Sequence, residues 1–260
     1  MMDKSGGEQA LKHLLDLSAK AYNKGIDIYS DFLNMQEVAL LKSNREAVQT
    51  GRYFLWGGIE DSERVMACFP AEYTDDLYTE RFPITCLHVI IKGARFLSKE
   101  LTHRDYMGAV LGLGIERKLI GDIILDRRGE VPGAFVFCAD RISDFIISEL
   151  NKIGRADVTV KKCDGTLAAT GRIIEERFGT VPSLRLDAVV GEAFNLSRTK
   201  VKDIIVSGNV SVNAALVEST HFQLSAGDII STRGYGKFVF YGENGETRKD
   251  KIRIRYGMYK

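Results

Sequence analysis

The chain has 260 residues, 45% of them hydrophobic and 27% charged, with a formal net charge of +1 and four cysteines. That much apolar material excludes wholesale disorder, and no uninterrupted apolar run reaches the ~18 residues a membrane-spanning helix needs. Cys68, Cys86, Cys138 and Cys163 form no C-x-x-C pair, which excludes a zinc-type ligand spacing and a disulfide framework and predicts reduced, mostly buried thiols in a cytoplasmic protein.

The start, residues 1–7, is polar and carries no apolar signal core, so export is not expected. Periodicity predicts a helix over 8–24, striped by Leu11, Leu14, Leu15 and Tyr22, and another over 31–43, striped by Phe32, Met35, Val38, Ala39 and Leu41. Short strands are expected at 53–56 and 65–69. Residues 1–82 thus read as a mostly helical N-terminal region that names no function.

From 83 to 165 the period switches repeatedly. A β-branched run at 84–91 comes first. Thr102-His103-Arg104-Asp105 resembles a capping box opening a helix through about Leu113. Strands follow at 119–125 and 133–138, separated by a turn at 126–129. Asp140 caps a helix striped by Ile142, Phe145, Ile146, Leu150 and Ile153, and 156–162 alternates as a strand. The order β-α-β-β-α-β is the ferredoxin-like arrangement shared by RNA-recognition modules. Phe135 and Phe137 share a face of the third strand. They stack bases if that face is open, and pack against the N-terminal region if it is not.

Residues 166–182 read as a connector. Gly165 and Gly171 have the wrong spacing for a phosphate loop, and Gly108, Gly112 and Gly114 close a helix instead of opening one. Past the connector the charge shifts. Residues 183–260 carry 12 Lys and Arg against 8 Asp and Glu, whereas 1–182 carry 24 against 27. The basic surplus belongs to the last third, which suggests a polyanion-binding end.

A helix opens near Ser183 with Leu186, Val189, Val190, Ala193 and Phe194 as its apolar positions. Ser197 caps a second, whose stripe is Val201, Ile204 and Ile205. Gly208 is its left-handed stop, and strands follow at 210–213, 228–232 and 237–241. The first turn of the second helix is Arg198-Thr199-Lys200, then Lys202. Cations at the positive end of a helix dipole cost roughly 0.3–1 kcal/mol each. With the free backbone N–H groups there, they make an anion-binding spot.

Arg185-Leu-Asp187, Leu196-Ser197-Arg198-Thr-Lys200, Ile205, Gly208-Asn-Val210-Ser-Val212-Asn213, Leu224, Gly227-Asp228-Ile229 and Arg233-Gly234-Tyr-Gly236 together resemble an S4 RNA-binding domain. Ala214-Ala215 departs from the Val-Asn-Gly turn of many S4 domains. With the basic segment 248–260, the whole chain is similar to the YlmH-type bacterial S4 proteins, most closely over 180–260. The resemblance implies an α+β protein with a helical N-terminal region (1–82), a ferredoxin-like middle (83–165), a connector (166–182) and an S4 domain with a basic tail (183–260). It also implies association with ribosomal RNA and tRNA on the large ribosomal subunit, in rescue and quality control of stalled complexes.

Carried over, the S4 pattern implies an RNA surface of Arg185, Asp187, Ser197, Arg198, Thr199, Lys200, Lys202, Arg233 and Lys237. Arg198 is the leading phosphate ligand, because a guanidinium binds phosphate bidentately. Asp187 either orients Arg198 or an RNA hydroxyl, or is an ordinary first-turn acid; Asn209 and Asn213 are either contacts or turn residues. The signature motifs of tyrosyl-tRNA synthetases are missing, and His13, His88, His103 and His221 are scattered. The expectation is therefore a monomeric, non-enzymatic RNA binder with no catalytic residue, metal, cofactor or membrane partner. The alternative is an RNA-modifying enzyme, of the pseudouridine synthase or methyltransferase class, that docks through its S4 domain. A third is a protein-interaction adaptor.

Overall fold

In the N-terminal region an asparagine decides where a helix begins. Asn34 Oδ1 accepts from the N–H groups of Gln36 and Glu37 at 2.8 and 3.0 Å, and Glu37 Oε2 accepts from Asn34 N–H at 2.7 Å. This reciprocal cap starts the second helix at Met35, not at residue 31 as the periodicity suggests. Phe32 instead sits buried in an extended segment, its N–H donating to the Lys118 carbonyl.

The computed structural model describes residues 4–49, 51–60, 62–71, 79–93, 101–126, 132–163, 174–213, 215–246 and 251–259. The chain divides into two units, Met1–Gly171 and Arg172–Lys260. The first contains α1 (Lys4–Lys24), β1 (Ile28–Tyr29), α2 (Met35–Ser43), β2 (Phe54–Trp56) and β3 (Met66–Phe69). These strands form an antiparallel sheet of order β1-β3-β2. Leu14, Leu41, Ala67 and Phe69 fill the core beneath it. Tyr22, assigned to the buried stripe, is 45% exposed, and Ala21 is the buried residue there.

Next come β4 (Ile84–Ile91), α3 (His103–Gly112), β5 (Ile120–Asp126), β6 (Gly133–Ala139), α4 (Asp140–Glu149), β7 (Lys152–Ile153) and β8 (Ala156–Lys162). Their sheet runs β5-β6-β4-β8-β7, antiparallel throughout. The capping box of α3 is present, with Asp105 accepting from both the N–H and the hydroxyl of Thr102 at 2.7 Å. Tyr106, Val110 and Ile146 of the two helices pack with Leu87, Val89, Val136 and Val158 on one sheet face. Phe145, read as part of that stripe, faces solvent at 47% exposure. The expected turn at 126–129 lies, after Asp126, outside the described residues.

The fold joins two of the cysteines that the sequence separates. Cys86 and Cys163 stand across from each other at the ends of β4 and β8, with Sγ atoms 3.5 Å apart. Cys68 and Cys138 are buried, and burial pushes both thiols up to about 12.

A buried polar knot ties the N-terminal region to β5. One extra residue between Ile120 and Ile123 bulges that strand and aims Asp122 at the segment before β3. Asp122 accepts from the backbone N–H groups of Glu63 and Arg64 at 2.7 and 3.2 Å. The Arg64 guanidinium donates to the carbonyls of Ile120, Phe32 and Arg117. Burial lowers the pKa of Arg64 and brings Arg117 down to about 10.

The second unit comprises β9 (Ile174–Val181), α5 (Leu186–Phe194), α6 (Arg198–Val206), β10 (Val210–Val212), β11 (Ala215–Leu216), β12 (Ile229–Thr232), β13 (Gly236–Glu246) and β14 (Ile252–Tyr259). All six strands form one sheet, β11-β10-β12-β13-β14-β9. Two sequence readings change here. Residues 174–181, taken as connector, are a strand, and the basic tail supplies β14, which lies between β13 and β9. Both are strongly charged; β9 buries Val181 alone and β14 buries Ile254, Tyr256 and Gly257, so polarity alone gives a false reading of loop. The rest of the connector, 166–173, and its glycines lie outside the described residues, as do 247–250 of the tail.

Among the described residues no helix is long and apolar enough to cross a membrane.

Candidate nucleic-acid interface

The helix pair is built on the apolar positions that the periodicity marks. Leu186, Val189, Val190 and Ala193 of α5 and Val201, Ile204 and Ile205 of α6 are buried together with Phe238, Phe240 and Ile254 of the sheet. Asn195 ends α5 in the left-handed conformation (φ 52°), and the chain turns into α6 within three residues. Ser197 Oγ then accepts from the Lys200 N–H at 3.3 Å, which caps α6.

That turn places Arg198, Thr199, Lys200 and Lys202 in solvent, and the first turn holds no acid. Among the described residues no carboxylate pairs with Arg198, Lys200 or Lys202. The positive end of the helix dipole, open N–H groups and three free cations therefore coincide.

The remaining predicted site residues separate into three groups. Arg233 is exposed, its N–H donating to the Asn209 carbonyl past the end of α6, while Gly236 and Tyr235 of the same turn pack on Phe194, whose ring lies 6.0 Å from that of Tyr235. Tyr235 itself is 39% exposed. Sequence reading noted its turn but not the ring, and an aromatic between two glycines was the signal. Arg185 and Asp187, by contrast, satisfy each other in a bidentate pair at 3.1 and 2.7 Å. Asp187 also accepts from the Ala188 N–H, so it is a first-turn acid and the partner of Arg185, not of Arg198. Lys237 is a correction. It is only 8% exposed, with Nζ 4.9 Å from the centre of the Tyr259 ring, and cannot reach a phosphate at this corner. Asn213 is a turn residue, holding Asp228 and the Ile229 N–H at φ 49°.

The aromatic face of the middle sheet is closed. Phe135 and Phe137 are 6% and 4% exposed and pack with Ile59. Gly58 makes this approach possible: its φ is +96°, and a Cβ there would lie 2.4 Å from the Phe137 ring. Replacing Phe135 or Phe137 by leucine is expected to cost about 1 kcal/mol of stability and to leave RNA affinity unchanged in a filter-binding titration. A drop in affinity without unfolding would reopen the face as a base-stacking surface.

The four histidines stand on different elements, and no cluster of three or more metal-ligating side chains occurs among the described residues.

Two antiparallel α/β units, one bearing an unneutralised cationic helix start, define the class. Residues 79–166 match a family model described as "Putative RNA-binding domain in YlmH". The chain is 32% identical over 232 residues to the ribosome-associated protein quality control protein P2 of Bacillus subtilis, spanning 89% of this chain and 87% of that one. It is 38% identical over 69 residues to the small ribosomal subunit protein uS4A of Clostridium novyi, covering 25% of this chain and 34% of the relative. A solved structure, the cell division protein ylmH from Streptococcus pneumoniae, aligns with a TM-score of 0.48 at 22% identity, over 64% of this chain and 96% of that one. The chain belongs to the YlmH family.

Proposed function

We propose that this protein is a non-enzymatic binder of structured RNA, docking on ribosomal RNA and tRNA of the large ribosomal subunit during ribosome rescue or quality control. The observation that carries the reading is the α6 start, where Arg198, Lys200 and Lys202 present charge that no carboxylate of the described residues neutralises. An intramolecular role would pair these cations; a phosphate backbone supplies the missing anion.

The sheet order of the middle region supports a ferredoxin-like domain, and the helix pair laid on the C-terminal sheet supports an S4 domain. The names of the Bacillus and Clostridium relatives point to the ribosome. If the middle domain also touches RNA, it does so away from Phe135 and Phe137. The protein acts as a cytoplasmic monomer without a cofactor.

Cosedimentation tests this. Purified protein is expected to travel with large ribosomal subunits in a low-salt gradient and to leave them as salt rises several-fold. If all of it stays in the ribosome-free fractions at low salt, the ribosomal reading is wrong.

A further inference from the structure

The sheet of the second unit has two faces, and the helix pair covers one of them. Val181, Phe238, Phe240, Ile254 and Tyr256 point into that core. Because side chains alternate along a strand, their neighbours Phe178, Arg253, Arg255, Gly257 and Tyr259 lie on the opposite, outer face, in register across β9 and β14: Thr180 faces Arg253, Phe178 faces Arg255, Glu176 faces Gly257 and Ile174 faces Tyr259.

Toward β9 and the arginines of β14 this outer face is exposed. Phe178 is 63% exposed, the largest exposure among the big apolar side chains of the described residues. Its register partner Arg255 sits over the Tyr241 ring, with the guanidinium carbon 5.1 Å from the centroid. Glycine at 257 makes room for the Tyr241 ring: a Cβ there would come within 2.7 Å of the Tyr241 hydroxyl and 2.3 Å of Ile174. One step along β14, the Tyr259 ring is held by the buried Lys237 ammonium at 4.9 Å. Arg253 is exposed, and no acid among the described residues pairs with it. Glu176, 3.3 Å from Arg255, is the acid that shares this face with the two arginines, so the accessible charge stays positive.

We propose that this outer sheet face is a second RNA site, separate from the α6 corner, that takes unpaired bases of a single strand: Phe178 and Tyr259 offer rings, while Arg253 and Arg255 meet phosphate or stack. The proposal rests on the RNA-binding reading above. Rings interleaved with arginines on an open sheet bind single strands with little sequence preference, since every base has a π face. A partner protein would have less use for a cation such as Arg253, which no acid among the described residues pairs, at the centre of its contact.

The test uses the full chain and two fluorescent probes, a 12-nucleotide unstructured RNA and a stable RNA hairpin without unpaired overhangs. Phe178→Ser is expected to weaken the single-stranded probe about tenfold, and Arg253→Glu to shallow its log–log salt slope by about 0.7 units. Neither change should alter the hairpin. Both positions are solvent-facing, so thermal unfolding should stay at the wild-type temperature. Arg198→Glu with Lys200→Glu should show the opposite pattern, with the hairpin weakened and the single strand retained. If Phe178→Ser and Arg253→Glu leave the single strand unaffected, this site is wrong while the α6 reading stands. Loss of both probes in the α6 variant alone would mean a single site and would equally overturn the proposal. So would capture of a ribosomal protein that survives ribonuclease and disappears with Phe178→Ser.

Discussion

Reversing Arg198 and Lys200 together to glutamate lowers affinity for ribosomal RNA by about tenfold or more at moderate salt and flattens the salt dependence. Each phosphate contact releases condensed counterions, so losing two should shallow the log–log slope by about two units. The loss should be uniform across RNA sequences, as the proposed contacts are to backbone and not to base edges. Folding should not suffer. Both side chains are exposed, and acids in the first turn of α6 face its positive dipole end, so the variant gains roughly 0.3–1 kcal/mol per site. Lower affinity in a protein of equal or higher stability is therefore the expected pair of results. An unchanged affinity and slope would remove α6 from the interface.

The largest stability effect is expected at Asp122. Asp122→Ala leaves the Glu63 and Arg64 N–H groups without their acceptor and takes away a carboxylate that favours the charged forms of Arg64 and Arg117. Uncompensated buried charge of this kind costs about 3–5 kcal/mol. Urea unfolding should show an earlier transition for the first unit, while RNA affinity at 4 °C, below that transition, is retained. Asp122→Asn keeps one acceptor and should lose less. A cost under about 1 kcal/mol for the alanine variant would mean that the segment before β3 is held by Arg64 alone.

Much of this was legible because local rules and tertiary packing agree. The strands at 84–91 and 156–162, the α3 capping box and the buried stripe Val201, Ile204 and Ile205 could be read from period and cap chemistry alone. Where they disagree, the reading fails. Strand β9 is exposed or half-buried along its length up to Val181, and β14 turns Arg253 and Arg255 to solvent, so their composition resembles a linker. Tyr22 and Phe145 satisfy a helical stripe yet face solvent, since a single period cannot say how wide the covered face is. Within the candidate site, exposure of Arg198 and Lys200 follows from the Ser197 cap. The pairing of Arg185 with Asp187 and the burial of Lys237 depend on rotamers and strand neighbours that spacing does not encode. The Asp122 knot joins residues nearly sixty positions apart through a bulge, and no local signal announces it.

The position of β14 has a consequence for biosynthesis. Its residues are translated about seventy positions after β9, yet they fill the gap between that strand and β13. Until the ribosome has released 252–259, β9 lacks its strand partner and β13 has one bare margin, each able to recruit a foreign chain. A nascent copy arrested short of this point should be sticky, protease-sensitive and unable to close its C-terminal half.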